Sequence, residues 1–442
     1  MRGSRVWRKV LGVQQVTIDG FGWEGDGDGE DEVLVIDLHP TRAANGRCSR
    51  CERRCRGYDQ GGGVRRWRAL DLGTTRVFLR AAAPRVSCRE HGVVVAAVPW
   101  ARPGTRFTRT FEDTCAWLTA RTTATVVCEL LRITWRSVSA VVDRVIGDRA
   151  GNTDMLAGLK RIGIDEIAHR RGHRYLTCVV DHDSGRLVWA APGRNSETLD
   201  TFFEALGTER CSQLTHVTAD GAEWIHTVVT KRAPKAALCL DPFHIVAWAT
   251  KALDEVRRQT WNQLRAGGGQ QAAKTFKGSR WALMKNPEDL TGRQRTTLAG
   301  IAKTNARLYR AYLLKEQLRM VFAVKGQPGR VLLAGWIVWA RRCQIPEFVK
   351  LAATITRFLP LITNTLVHGM SNARSEATNT HLRTLTTRAY GFHTPEALIS
   401  MAMLTRGGLC PPLPGRSHQL KRQEGPKAVM ALYAMDIRTP PD

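Results

Sequence analysis

Apolar and polar positions change period several times along this chain. Between 160 and 245 the apolar residues come in short runs, at 161–167, 175–181, 186–191, 214–219 and 236–240, which read as strands. Two stretches between them, 196–207 and 222–232, carry helical spacing. The order is β-β-β-α-β-α-β, an α/β pattern that opens with a meander. From 245 to about 358 the spacing is helical throughout, beginning with DPFHIVAWATKALDEVRRQTWNQL, and GGGQQ at 267–271 marks a turn. SNARSEATNTHLRTLTTRAYGF, from 371, predicts another helix, and the tail from 408 is irregular.

Ahead of this region, residues 11–38 alternate weakly and break at WEGDGDGEDE, the pattern of a hairpin with an acidic, Gly-rich tip. A calcium loop at Asp26, Asp28 and Glu30 would need a Gly and a terminal Glu that the spacing lacks. Residues 40–100 hold short strand-like runs such as RVFLRAA and GVVVAAV. Residues 107–147 turn helical. FEDTCAWLTARTT reads as one helix, and TATVVCELLRI and TWRSVSAVVDRVIG as a pair broken around Ile133 and Thr134. Thr134 suits an N-cap, and Val138, Val141, Val142 and Val145 form the apolar stripe behind it. A short helix, a tight turn and a helix opening on Trp135, Arg136 and Ser137 suggest helix-turn-helix, although any two packed helices share that outline.

Composition adds a partner. The net charge is +26 over 442 residues, and residues 41–110 hold sixteen Arg, no Lys and four acids. Such a surplus favours a polyanion, and guanidinium groups such as Arg65, Arg66 and Arg68 suit bidentate phosphate contacts. Genomic base composition is the competing reason for the missing Lys. The longest apolar run, VLLAGWIVWA at 331–340, is too short to span a bilayer. The eleven Cys are scattered and the N-terminus MRGSRVWRKV has no apolar core, so a reduced, cytoplasmic setting is expected.

Two pairs of potential ligands stand out. Cys48-Ser-Arg-Cys51 and Cys88-Arg-Glu-His91 each leave a two-residue gap, which lets both side chains of a pair face one ion from a tight turn. Strands between the knuckles would make a ribbon closed by one structural zinc. Cys55 stands nearby as a spare or substitute ligand. The alternative is a set of unrelated thiols.

The acids raise a sharper question. Asp165 lies inside the first strand of the α/β region, with Glu166 beside it, and a buried carboxylate is costly unless something cationic meets it. Asp220 ends the fourth strand before Gly221. On the late helix Asn372, Glu376, Asn379 and Arg383 fall at i, i+4, i+7 and i+11, a polar stripe where packing on a sheet would ask for an apolar one. Three converging carboxylates can hold two divalent cations for displacement at phosphorus, and magnesium suits such oxygen ligands. Bland readings exist for each. Asp165 is then a satisfied strand-end acid, or Glu166 on the opposite face the ligand; Asp220 is a cap, and Glu376 a surface acid paired with Arg383. Asp241-Pro-Phe-His244 follows the last strand, its Asp suited to capping a helix and its His to a place beside substrate.

The order IDE, VTADGAEWI, CLDPFHIV and SNARSEATNTHLRTLTTRAYGF resembles the DDE transposases of the ISL-three group of bacterial insertion sequences. CSRC…CREH and the helix pair after it match the same group, with His91 where a fourth Cys is usual. The resemblance covers roughly residues 10 to 405. It implies a multidomain α/β protein with an RNase H-like catalytic core interrupted by an all-helical insertion. Its parts are a strand-rich module with the ribbon (1–104), the helix-turn-helix (105–152), the core (153–244 and 359–407), the insertion (245–358) and a tail (408–442). It implies Asp165, Asp220 and Glu376 as catalytic acids holding two Mg2+ ions, with Asp241, His244, Asn372, Asn379 and Arg383 beside them or on substrate. Cys48, Cys51, Cys88 and His91 would hold one zinc, and Trp135, Arg136, Ser137 and the three Arg of 65–68 would meet duplex DNA. The expected activity is binding of terminal inverted repeats, strand cleavage and strand transfer by a homodimer or larger assembly on nucleoid DNA. Two rivals remain: a zinc-dependent DNA-binding regulator without catalysis, and a metal-dependent nuclease that does not join strands.

Overall fold

The computed structural model describes residues 2–25, 32–170, 172, 174–267, 276 and 278–416. The acidic tip at 26–31 and most of GGGQQ lie outside the described residues, as does the tail beyond 416. The chain divides into two units, Met1–Gly151 with Leu409–Asp442, and Asn152–Gly408. Among the described residues no helix is long and apolar enough to cross a membrane.

The first unit opens with helix α1 (Arg2–Leu11), which the sequence reading did not foresee. Strands β1 (Val16–Glu24) and β2 (Val33–Pro40) pair antiparallel, as the alternation predicts. Next come β3 (Arg56–Asp59), β4 (Val64–Arg68), β5 (Arg76–Ala82), β6 (Arg85–Cys88) and β7 (Gly92–Val95). They divide between two sheets: a four-stranded one ordered β1-β2-β5-β4 and a three-stranded one ordered β3-β6-β7. Residues between the two knuckles therefore serve both sheets. Ile36, Leu38, Val77, Leu79, Trp67 and Trp100 fill the larger sheet's core, with the two indoles edge to face at 5.4 Å.

Helices α2 (Arg109–Thr119), α3 (Ala124–Leu131) and α4 (Trp135–Gly151) follow. The helix expected over 111–123 stops at Thr119, because Thr123 caps the next one by accepting from the Val126 amide. Arg132 takes the left-handed conformation that ends α3, and Thr134 Oγ1 accepts from the Ser137 amide at 3.3 Å to start α4. The stripe Val138, Val141, Val142 and Val145 is buried, as its spacing predicts. Glu112 is buried beneath these helices because Arg144 Nε and Thr105 Oγ1 donate to it at 2.8 and 2.7 Å, with Arg102 at 3.3 Å.

The second unit is built on one sheet. Strands β8 (Arg161–Arg170), β9 (Arg174–Asp181) and β10 (Leu187–Pro192) form an antiparallel meander. Helices α5 (Ser196–Leu206) and α6 (Thr208–Cys211) lead to β11 (His216–Ala219), and α7 (Glu223–Arg232) leads to β12 (Ala237–Leu240). The order is β10-β9-β8-β11-β12, with β8 central and its junction to β11 parallel. Ile162, Ile164, Leu199, Phe202, Val217 and Ile225 belong to the core between one sheet face and its helices.

Among the described residues, α-helices then run from α8 (Pro242–Ala266) through α9 (Arg280–Met284), α10 (Gly292–Thr304), α11 (Ala306–Val324), α12 (Gly326–Arg342) and α13 (Pro346–Arg357) to α14 (Leu359–His368). They share a core around Trp336, whose Nε1 donates to the Leu314 carbonyl at 2.8 Å. Helix α14 covers the edge of β12: Thr365 Oγ1 and Asn364 Nδ2 donate to the Leu240 and Leu238 carbonyls at 2.7 and 3.0 Å. Helix α15 (Ala373–Arg388) packs on β8, and α16 (Pro395–Thr405), not separated in the sequence reading, closes the unit.

Candidate active site and metal centre

The face of α15 turned to the sheet is polar and nearly dry. Asn372, Ser375, Thr378 and Asn379 are all under 5% exposed. Such groups survive burial only when hydrogen-bonded, and most of these are. Asn379 Nδ2 donates to Asp165 Oδ2 at 2.9 Å. Asn372 accepts from Thr218 Oγ1 at 2.8 Å through Oδ1, and its backbone N–H reaches Asp241 Oδ1 at 3.2 Å. His182 Nε2 meets Thr218 Oγ1 at 2.6 Å. Because Thr218 gives its own proton to Asn372, His182 must be the donor to Thr218. Burial pushes His182 down to about 4, helped by Arg374 and Arg161, so the ring stays neutral.

This close approach depends on Gly163. A Cβ there would stand 2.4 Å from Ser375 Oγ, 2.7 Å from Asn372 Oδ1 and 2.9 Å from His182 Nε2. Neither His182 nor Thr218 follows from any spacing. Gly163, between Ile162 and Ile164, was the available signal, since glycine inside a strand marks a close neighbour.

Asp165 on β8, Asp220 just past β11 and Asp241 just past β12 come to one end of the sheet. Burial raises Asp165 to about 6, with Asp220 and Asp241 adding to the rise and the Glu166 amide and His244 opposing it. His244 Nδ1 lies 2.9 Å from Asp241 Oδ2, which pulls the imidazole above its ordinary range. Asp220 Oδ1 accepts from the Ala222 amide at 2.9 Å, which holds the turn before α7 rather than capping the helix, whose N-cap position is Ala222. Glu376 is half-buried, between Asn372 and Asn379 on the helix face that meets β8, and Arg383 further along is exposed. Oxygen-only donors suit a hard cation such as magnesium. The carboxyl oxygens of Asp165, Asp220 and Glu376 are not gathered within 4.8 Å of one another.

The ribbon's ligands are gathered in that way. Cys48, Cys51, Cys88 and His91 present ligand atoms all within 4.8 Å of one another. Cys51 and Cys88 sulfurs are 3.8 Å apart, and His91 Nδ1 lies 3.6 Å from Cys88 and 3.8 Å from Cys48. A tetrahedron with the bond lengths usual for zinc has edges of about 3.8 Å between sulfurs and about 3.6 Å from sulfur to nitrogen. The donor set therefore fits zinc. The His91 backbone and side chain pull the Cys88 thiol down to about 6, which favours the thiolate a metal needs. Cys55 turns its sulfur to the Arg53 carbonyl at 3.4 Å, outside the four.

Of the Arg-rich strand β4, Arg65 is exposed, Arg66 pairs with Glu24, and Arg68 is 7% exposed and held by Asp71. Together with Arg106 and Arg132 they line a cavity of about 630 Å³. On α4, Trp135 is 55% exposed, Arg136 is exposed, and Ser137 is half-buried within the capping turn.

Comparison with known proteins gives this geometry its context. Residues 162–402 match a family model described as transposase. Residues 44–91 match the zinc-finger of transposase IS204/IS1001/IS1096/IS1165, and 96–146 the helix-turn-helix domain of transposase family ISL3. The transposase for insertion sequence element IS1557, from two strains of Mycobacterium tuberculosis, is 52% identical over 436 residues, covering 94% of this chain and 98% of the relative. The transposase for insertion sequence element IS1001 from Bordetella parapertussis is 27% identical over 385 residues, covering 85% and 94%. The chain belongs to the ISL3 family of transposases. Its function is that of a DNA transposase, and neither a regulator without catalysis nor a simple nuclease is favoured.

Proposed function

We propose that this transposase cuts and joins DNA with Asp165, Asp220 and Glu376 in an RNase H-like core. The observation that carries the reading is the polar seam between α15 and β8, where Asn379 holds Asp165 and the chain from His182 to Asn372 fixes the turn before Glu376. A strand order of β10-β9-β8-β11-β12, with β8 central, suits such a core, and residues 245–358 suit an all-helical insertion between its two parts, 153–244 and 359–407.

Asp165, Asp220 and Glu376 would hold Mg2+, which supplies Lewis-acid activation of the attacking oxygen and stabilisation of the leaving one. Asn379 Nδ2 orients Asp165 through Oδ2 at 2.9 Å and the Glu166 amide through Oδ1 at 2.8 Å, so both carboxylate oxygens are fixed in direction before a cation arrives. Asp241 holds both the start of α15 and the His244 ring, so His244 stands beside the acids with its Nδ1 already committed. Arg383, exposed on the same helix, is placed to meet the DNA backbone.

Cys48, Cys51, Cys88 and His91 would hold one zinc that stiffens the ribbon. Trp135, Arg136 and Ser137 at the start of α4 would read the terminal inverted repeats, with Arg65 and Arg66 on phosphates and Arg68 supporting them from inside. Holding two element ends calls for a dimer or larger, acting in the cytoplasm on nucleoid DNA. Strand-transfer assays on element-end duplexes test this: Asp165→Ala, Asp220→Ala and Glu376→Ala should each lose cutting and joining while still binding DNA. Retained joining in one of them removes that residue from the set.

A further inference from the structure

Beside the proposed acids lies a pair that their role does not use. Glu166 follows Asp165 on β8 and so points to the other face of the sheet. Its side chain is 7% exposed, and Oε1 is buried without a partner. Oε2 pairs with Nε of Arg194, whose side chain is 44% exposed. The Arg194 guanidinium also lies over the Tyr175 ring, 4.8 Å from its centroid. Glu166 is next to Asp165 on β8, and Asp220 follows β11, which runs parallel beside β8, so this pair lies at the same sheet end as the acids.

The backbone that carries Arg194 is fixed. The Gly193 amide donates to the Tyr175 carbonyl at 2.9 Å, and Thr177 Oγ1 donates to the Gly193 carbonyl at 2.9 Å. Gly193 has a φ of 126°, and a Cβ there would stand 2.2 Å from Thr198 Oγ1. Asn195, just after Arg194, caps α5 by accepting from the Thr198 amide at 2.9 Å. A guanidinium held by its Nε edge and by one face keeps its two terminal nitrogens for a third partner. Among the described residues no other acceptor is recorded for them. A planar pair of donors, oriented in advance and facing solvent beside a cluster of acids, matches the two unesterified oxygens of a phosphodiester.

We propose that Arg194 binds the DNA phosphate flanking the scissile one on the strand being cut, and that Glu166 and Tyr175 are positioning residues for it. The proposal rests on the reading that Asp165 and Asp220 do the cutting, since their position defines which phosphate is scissile. Glu166 is then buried as a charge for a reason of its own. It holds Arg194 flat and aimed, where an unpaired Arg side chain would have to be ordered at each binding event.

The test uses the full chain carrying Asp165→Asn throughout, so that bound DNA stays intact and the result stands whichever way cutting assays fall. Binding is measured by fluorescence anisotropy on duplexes of the element's own end. One duplex carries all its phosphates, and the others carry a single neutral methylphosphonate at successive positions around the cut. Arg194→Gln should weaken binding to the fully charged duplex roughly 10- to 100-fold. At one flanking position the methylphosphonate should impose the same loss on the Arg194 protein and none on the Arg194→Gln protein. Arg194→Lys should recover only part of the affinity, since it keeps the charge but not the fork. Glu166→Gln should weaken binding without lowering the melting temperature. Equal affinity of the Arg194 and Arg194→Gln proteins, or equal sensitivity of both to the neutral phosphate at every position, overturns the proposal. So does a Glu166→Gln protein that changes only its melting temperature.

Discussion

Replacing Thr218 by Val tests the seam that holds the Glu376-bearing helix. The two side chains have nearly the same shape, so the main change is loss of one hydroxyl. Thr218 is fully buried, and that hydroxyl accepts from His182 at 2.6 Å and donates to Asn372 at 2.8 Å. Val leaves His182 Nε2 and Asn372 Oδ1 buried and unpaired, each costing about 1–3 kcal/mol. The added methyl returns roughly 0.8 kcal/mol by burial, so the net loss should be about 1–5 kcal/mol. For a unit of this size that is a fall of roughly 3–20 °C in melting temperature. Urea unfolding gives the magnitude, and hydrogen exchange shows where it falls. Amides of 373–388 should exchange faster in the variant, while those of the helical region 306–342 should not. A variant whose midpoint is unchanged, with 373–388 still fully protected, would show that this chain of hydrogen bonds does not hold the helix.

Two further outcomes concern metals. One zinc per chain should be found by elemental analysis, and Cys88→Ser should lose it along with the ribbon's stability, since structural zinc contributes apparent folding energy of about 10–16 kcal/mol; full zinc content in that variant would refute the ligand set. The pH dependence has a definite sign. Asp165 is raised to about 6 and Glu166 to about 7, from 3.8 and 4.5. Folded values above unfolded ones mean that these groups support the metal-free fold at low pH, and that this support is lost as pH rises through 6 and 7. A divalent cation needs the deprotonated carboxylates, so the rise in melting temperature with Mg2+ should be small near about pH 5.5 and larger near about pH 8. An equal rise at both would contradict it.

Much of this was legible from residue order, for identifiable reasons. Short apolar runs bounded by turns located β8 to β12, because a sheet buried under helices selects continuous Ile, Val and Leu. The valine stripe of α4 and its Thr134 cap were equally plain. Helix α1 was not, because Val6 and Val10 on it are exposed and only Trp7 and Leu11 reach the core, too little to show as periodicity. The interval between the knuckles suggested one ribbon, and nothing local says that β4 and β5 pair with β2 instead. Arg68 looked like a phosphate ligand by composition, yet Asp71 three residues later ties it down. The polar face of α15 was visible as spacing. Its partners were not: Thr218 and His182 lie 154 and 190 positions from Asn372, and only the folded sheet brings them together. Arg194 was silent for the same reason, since its role comes from Glu166 across the sheet.

The central claim is that Asp165, Asp220 and Glu376, drawn from two strands and a late helix, close around divalent cations when DNA is present. Anomalous scattering from Mn2+ in crystals of the Asn379-intact protein with an uncut element-end duplex addresses it directly. Manganese density in contact with carboxyl oxygens of all three residues is the predicted result. Manganese bound elsewhere, or held without Glu376 while the DNA is in place, would contradict the account.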